Sequence, residues 1–460
     1  MRNAFMYILL GGVLLVLSCS KNDCTLIPSY AEGQENHQEE RLGISPMSLR
    51  ITPKEAAIVA CIERFGTTVK MNRIEGEVES VDSICNSLGR ALMYVVQYSD
   101  YKGYTVVSST KNYYPILVDV EYGEYNPEVI AQSGASLFYE TYRAEIEQSD
   151  SQDSSYIQHV RSQWYPFEEI SMSTITMTKS TNDELLDLVE SSIAEWEAEG
   201  YNYYFLGQCP NNLPEDVYNR FVEIASELSN ENYDFMDNCV ILEQRQDFSS
   251  QIGPLLTTSW SQHCFYFHRQ YVWTGCGPLA IAQIMAYHRH PATIHWDLVF
   301  TQAADRKTFI ENVAIEMEAR FGTTGTSIEI DDAMRYLSTK GYLRTQTSHN
   351  TQQVYTSLVN GRPVYMQGED DNNIAHAWVC DGYNSETSSF RYELKVLSYF
   401  SPLTYETADS YSTSTNRTRY HMNWGENTLG LNGFYHDATI RYHRTRDDIV
   451  NIRPIAMEVL

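Results

Sequence analysis

Thr274-Gly275-Cys276-Gly277-Pro278-Leu279-Ala280-Ile281-Ala282-Gln283-Ile284-Met285-Ala286-Tyr287-His288 is the stretch around which the chain is organised. A Cys stands between two glycines, and a helical pattern opens directly behind it. Pro278 suits the first turn of a helix, where its missing N–H is no loss. Leu279, Ala282, Ile284, Met285 and Ala286 supply the apolar surface of a helix buried in a core. A Cys at such a helix start feels unpaired N–H groups and the positive end of the macrodipole. Both favour thiolate, and can bring a thiol pKa from about 8.5 to roughly 3.5–7.5. The flanking glycines permit a tight turn and close approach of a substrate backbone. Taken alone, the same residues also fit an inert core Cys before a buried helix.

Three further stretches tip the balance. Ahead of the Cys runs Gly253-Pro254-Leu255-Leu256-Thr257-Thr258-Ser259-Trp260-Ser261-Gln262. The side-chain amide of Gln262, together with the Cys276 N–H, can hold a tetrahedral oxyanion; one such donor is worth on the order of 3 kcal/mol in other hydrolases. Behind it comes Ile374-Ala375-His376-Ala377-Trp378-Val379-Cys380-Asp381-Gly382-Tyr383. Alanines leave room beside His376, and a strand fixes the direction of its ring. Asp381-Gly382 reads as a hairpin turn leading towards residues 390–396. Last comes Tyr420-His421-Met422-Asn423-Trp424-Gly425. Asn423 can accept the imidazole N–H and fix its tautomer, with the Trp424 ring excluding water. Alternation puts His421 on the face of Asn423, a minor rival for the base that reads better as a packing residue.

Gly-Cys-Gly-Pro-x-Ala-x-Ala-Gln-Ile-Met-x-Tyr-His resembles the nucleophile segment of the streptopain family of papain-like cysteine peptidases, secreted enzymes made as zymogens. The other three stretches stand in family order across residues 250–460. The resemblance implies an α+β fold: a papain-like domain of a helical part plus an antiparallel sheet, preceded by a small α+β prosegment. It implies Cys276 and His376 as catalytic pair, Gln262 and the Cys276 N–H as oxyanion hole, and Asn423 and Trp424 as the orienting and shielding residues. It implies protein or peptide substrates, the chain's own prosegment as inhibitor, and no metal or organic cofactor. Glu426-Asn427 departs from the family pattern, which tends to continue with Trp-Gly, and residues 384–419 form an unusually long connection.

Charge divides the chain in two. Of its 33 Lys and Arg and 60 Asp and Glu, residues 251–460 hold 17 and 21, leaving 16 and 39 in residues 1–250. The acidic excess belongs to the N-terminal half, and the near-neutral C-terminal half offers no electrostatic footprint for nucleic acid. Met1-Arg2-Asn3 and the apolar run 4–17 read as a signal peptide too short to span a bilayer. Val16-Leu17-Ser18-Cys19 resembles a bacterial lipobox, so Cys19 is expected to carry a lipid anchor on the outer membrane or cell surface. No zinc spacing appears among the nine Cys. Cys209 and Cys239 are candidates for pairing, whereas Cys61 and Cys380 lie in apolar runs and read as core thiols.

Residues 20–48 read as a tether. Thr52-Pro53-Lys54-Glu55 is a capping box opening a helix to about Phe65. Strand patterns follow at 91–98, 104–109 and 114–122, then a helical pattern at 126–147. This order across 49–150 resembles the streptopain prosegment. Residues 148–180 read as a linker or exposed loop, and 181–199 and 213–229 as acidic amphipathic helices, within a 151–250 extension that no residue-level reading explains. Processing is expected at about 230–252, ahead of a peptidase domain at 251–460. His288-Arg289-His290-Pro291 reads as a helix C-terminus and not a metal site, and Glu369 to Asn373 as a solvated acidic loop and not a calcium loop. The expected protein is a lipid-anchored cysteine endopeptidase zymogen. A cell-wall amidase, or an inactive surface-binding lipoprotein on the same fold, are the alternatives.

Overall fold

Thr52 opens helix α1 (Pro53–Phe65) as expected: its N–H donates to Glu55 Oε2 at 2.7 Å and the Glu55 N–H returns to Thr52 Oγ1 at 3.3 Å, a reciprocal cap worth about 1 kcal/mol. The computed structural model describes residues 48–66, 74, 76–168, 183–208, 213–228, 239–369, 375–398, 404–426, 430–436 and 445–455. The signal and lipobox readings at Cys19, the tether, Cys209 and most of the acidic loop after Glu369 lie outside them. Among the described residues no helix is long and apolar enough to cross a membrane.

Behind α1 come β1 (Val78–Cys85), β2 (Ala91–Tyr98), β3 (Tyr104–Ser108) and β4 (Ile116–Val120), all antiparallel neighbours. The pattern at 126–147 is broken into α2 (Pro127–Ala131) and α3 (Ala135–Gln148). The expected linker at 148–180 is partly ordered: α4 (Ser154–Ser162) follows, capped by Asp153, and Trp164 is fully buried. The indole Nε1–H of Trp164 donates to Tyr113 O at 2.7 Å, which ties this segment to the small sheet.

The extension then forms α5 (Asp183–Ala198), β5 (Asn202–Phe205), α6 (Glu215–Leu228) and β6 (Val240–Ile252). The C-terminal half adds β7 (Cys264–Phe267), β8 (Gln270–Trp273), α7 (Cys276–His288), α8 (Trp296–Thr301), α9 (Ala303–Glu316), α10 (Ile330–Thr339), β9 (Tyr342–Ser348), α11 (Thr351–Val359), β10 (Val364–Glu369), β11 (Ala375–Ser398), β12 (Thr404–Asn423), β13 (Gly433–His436) and β14 (Thr445–Pro454). Except for the β7–β8 pair, the strands join in one sheet with the path β1-β2-β3-β4-β13-β12-β11-β10-β14-β9, β6 pairing with β11 and β5 with β6. The α+β expectation holds.

One reading is corrected. Asp381-Gly382 is not a turn: β11 runs on to Ser398, with a register shift between Cys380 and Gly382. The bulge turns Asp381 inward, where its carboxylate accepts the Leu256 N–H at 2.9 Å and its carbonyl the Leu255 N–H at 2.8 Å. Within the long connection 384–419, β11 and β12 pair antiparallel from Asn384↔Arg419 to Ser398↔Thr404. Against it pack Tyr204, Leu206, Val217 and Phe221 of the extension, on Phe390, Tyr392 and Leu394. The two segments that depart from the expected pattern thus cover one another. The expected processing stretch includes β6, which pairs with β11 from Tyr383↔Ile252 to Lys395↔Val240.

The small N-terminal α+β unit is also fastened to the C-terminal half by strand pairing and by ion pairs. Strand β4 pairs with β13 through Asp119↔Phe434 and Val118↔Tyr435. Glu63 of α1 is ion-paired with Arg417 (3.3 Å) and Arg419 of β12, and both arginines also reach Glu386, at 2.5 and 2.8 Å. Burial pushes the Glu63 carboxyl up, but the two guanidinium groups outweigh it and hold it below the ordinary range. Removing one partner strands a buried charge. Arg419→Ala, on a Cys276→Ala background to prevent self-cleavage, is therefore expected to cost about 3–5 kcal/mol, read as a lower urea midpoint.

Candidate active site

Gly275 adopts φ +89°, a conformation that side chains rarely take, and turns the chain into α7. Cys276 is the first helical residue, and residues 277–286 behind it are buried, as a core helix requires. The strand-like bonds Thr274 N–H to His263 O (3.0 Å) and His263 N–H to Thr274 Oγ1 (3.2 Å) bring Gln262 alongside the nucleophile segment. Buried Gln283 reads as just another residue of α7 in sequence, but it fixes the site from behind. Its Oε1 accepts the Trp260 N–H at 3.2 Å and its amide donates to Asn423 Oδ1 at 3.2 Å.

His376 lies at the start of β11, opposite Gly368 of β10, and is in hydrogen-bond contact with the Cys276 thiol. Burial pushes the thiol up. The charge and hydrogen bond of His376, with the N–H groups of Ala377 and Gly277, outweigh burial and lower it. Burial likewise lowers the imidazole, and the sulfur's charge and bond, helped by the charge of Glu426, raise it. The two shifts are mutual and favour thiolate beside imidazolium. Alkylation of Cys276 by iodoacetamide, followed by mass on the peptide that contains it, is therefore expected to reach half its limiting rate at a lower pH than an ordinary thiol does. His376→Ala is expected to move that midpoint upward, because burial then acts unopposed by the imidazole. An unmoved midpoint contradicts the pair.

Asn423 is not where the sequence reading puts it. Its Nδ2 donates to Thr258 O at 2.8 Å, and its Oδ1 accepts from Gln283 and from the Gly425 N–H at 3.2 Å each. No bond to His376 is among the described contacts, and the His376 Nε2 is buried without a hydrogen-bond partner among the described residues. The pleat explains this. Asn423 pairs with Val379, so it shares the face of Ala377 and Val379 that packs on α7. His376 alternates onto the face of Trp378 and Cys380, which packs on Leu137 and Phe138 of α3. Trp424 is fully buried on that second face, its ring 5.1 Å from Trp378 and 5.5 Å from Phe138. His421 faces Asp381, with Nδ1 and Oδ1 2.6 Å apart. That is a packing role that secures the 253–256 segment and not a rival base.

Gln262 Nε2 donates to Glu426 Oε1 at 3.3 Å. Glu426 thus touches the candidate oxyanion donor and acts electrostatically on the candidate base. Sequence marked it only as a departure from the expected pattern. The other unforeseen residue is Gly134, ahead of α3. A Cβ there would lie 2.1 Å from His376 Cδ2 and 2.9 Å from Trp424 Cε3, and nothing in its local sequence signals that approach. The His288/His290 segment is a helix terminus: His288 and His290 bond to Ile452 O (3.1 Å) and Lys340 O (2.8 Å). Among the described residues no group of His, Cys, Asp and Glu is arranged to hold a metal.

Comparison with known proteins follows the same residues. The peptidase C10 family model matches residues 257–321 and 309–435, a span that includes Gln262, Cys276, His376, Asn423 and Trp424. No curated protein sequence matches the chain. Among solved structures, the active wild-type interpain A cysteine protease of Prevotella intermedia is 16% identical, with a TM-score of 0.30 over 43% of this chain and 94% of that one. A fragment of Prevotella intermedia prointerpain A is 12% identical, with a TM-score of 0.42 over 82% of this chain and 98% of that one. Through the match at residues 257–435, this chain is a cysteine-type peptidase similar to the peptidase C10 family.

Proposed function

We propose that the chain is the zymogen of a lipid-anchored, cell-surface cysteine endopeptidase, anchored through Cys19 and held latent by residues 49–168. Cys276 thiolate attacks a peptide carbonyl, and the C–N bond breaks as the His376 imidazolium protonates the leaving amine. Water, deprotonated by His376, then releases the acyl group from sulfur. Gln262 and the Cys276 N–H hold the oxyanion. Trp424 shields the imidazole, and Asn423 braces the segment that carries these donors.

The observation that carries the latency reading is Gly134 seated against the His376 ring, where substrate would otherwise need access. The β4–β13 pairing and the Glu63–Arg417–Arg419 ion pairs support it, since they fasten the same N-terminal unit to the catalytic sheet. A cut within 169–182 leaves α5, β5, α6 and β6 with the hairpin they cover, whereas one at 240–252 interrupts a paired strand. Maturation is therefore assigned to 169–182.

The test is to incubate the chain from residue 20, and its Cys276→Ala variant, under mild reducing conditions while following mass and casein cleavage. Wild type is expected to shorten to a fragment beginning within 169–182 and to gain activity, with the variant intact. A fragment beginning near 230–250 would move the site of maturation. Muropeptide cleavage without protein cleavage would favour an amidase. If both chains stay inert after the N-terminal unit is removed by a second protease, an inactive binding lipoprotein is the better account.

A further inference from the structure

Beside Gln262 opens a cavity of about 540 Å³. It is lined by residues 257–263, by Phe300 of α8 and by Arg306, Lys307 and Ile310 of α9. Its apolar wall includes Trp260 and Phe300, whose ring centroids are 6.1 Å apart. Its polar lining carries two cations, Arg306 and Lys307, near the start of α9. Neither is in an ion pair among the described residues; the Arg306 guanidinium instead lies 5.9 Å from the Trp260 ring centroid. The nearby acidic groups are otherwise engaged: Glu311 faces His263 at 3.0 Å and Glu426 holds the Gln262 amide at 3.3 Å. The lining also includes Thr258, 5% exposed, whose Oγ1 has no hydrogen-bond partner among the described residues. A buried donor left open and two unpaired cations above an aromatic wall suit a carboxylate carried on an apolar stem.

We propose that this cavity is a substrate subsite for an acidic residue, Glu or Asp, of the peptide being cleaved. The inference rests on the endopeptidase reading above. Gln262 lines the cavity and is also the candidate oxyanion donor. A peptide whose carbonyl oxygen reaches Gln262 from Cys276 therefore lays a neighbouring side chain at the cavity mouth. The carboxylate meets Arg306 and Lys307 and accepts the Thr258 hydroxyl, while its methylenes cover Trp260. No bond is made or broken in the subsite; it acts on which peptides dwell at Cys276.

The test uses the matured protein and quenched fluorescent peptides of one core sequence. Glu, Gln or Lys is placed at each of the three positions on either side of the cleaved bond. At one position Glu is expected to exceed Gln in kcat/KM by about 5- to 10-fold and Lys by more, mainly through KM. The advantage is expected to shrink as salt rises. Arg306→Ala with Lys307→Ala is expected to bring the Glu-to-Gln ratio to about 1, and Arg306→Glu with Lys307→Glu to reverse the preference towards Lys. Because the ratio is taken within each variant, a general loss of folded protein cancels. Cleavage with no Glu preference at any position, or a preference that survives both pairs of substitutions, overturns the subsite alone. Cleavage of none of the peptides overturns the endopeptidase reading and the subsite with it.

Discussion

Cys276→Ala is expected to lower peptide hydrolysis by roughly 10⁴-fold or more, with His376→Ala close behind and the double variant little worse than either. The reason is the mutual dependence of the two groups. Burial alone would hold the thiol protonated and the imidazole neutral, and each is moved the other way chiefly by its partner. Removing either therefore removes the nucleophile as an anion. The check is active-site titration with an irreversible thiol-directed peptidase inhibitor alongside kcat/KM. Both variants should keep the fold, since Cys276 is half-buried at a helix start whose turn is set by Gly275 and whose body is set by residues 277–286. Either variant retaining a tenth of the activity would refute the assignment, because among the described residues the exposed free thiol, Cys264, lies on the small β7–β8 pair with no comparable partner described.

Gly134→Ala is expected to free the intact chain from latency. Residue 134 has φ −62° and ψ −19°, which alanine adopts without strain, so the substitution acts only through its added methyl. That methyl would stand 2.1 Å from His376 Cδ2, and either the imidazole or the start of α3 must move. Overpacking of this kind costs about 1–3 kcal/mol, which shifts the docked-to-open balance by roughly 5- to 150-fold. Cleavage of a small fluorogenic peptide, measured before any change in mass, should rise accordingly. Gly76→Ala is the control, since it lies in the same half of the chain with nothing within 4 Å of the added carbon. A Gly134→Ala chain that stays as latent as wild type would remove the N-terminal unit from its proposed role. If the imidazole yields instead of α3, the matured form of the variant recovers full activity once residues 49–168 are gone, while the intact chain falls further.

The chemistry of this protein was legible in its sequence because it depends on short-range order. A Cys between glycines at a helix start, a capping box at Thr52 and an alternating strand around His376 each state their local geometry within a few residues. The helices at 53–65 and 276–288 and the strands at 91–98 and 104–108 accordingly lie where periodicity puts them. What sequence could not state is which face a strand turns to which neighbour. Whether Asn423 meets His376 depends on pairing register across β11 and β12, set by partners distant in the chain. The Asp-Gly pair at 381–382 has turn chemistry, but a buried Asp381 whose carboxylate and backbone carbonyl each satisfy a backbone N–H wins over local preference. The helices at 183–228 were legible as amphipathic, but what they cover was not, because the apolar face of α6 is completed by Phe390, Tyr392 and Leu394, far along the chain. Only the tertiary structure brought Gly134 to the imidazole and Glu426 to Gln262. A close approach has no sequence signature when the residue that makes it is defined by having no side chain.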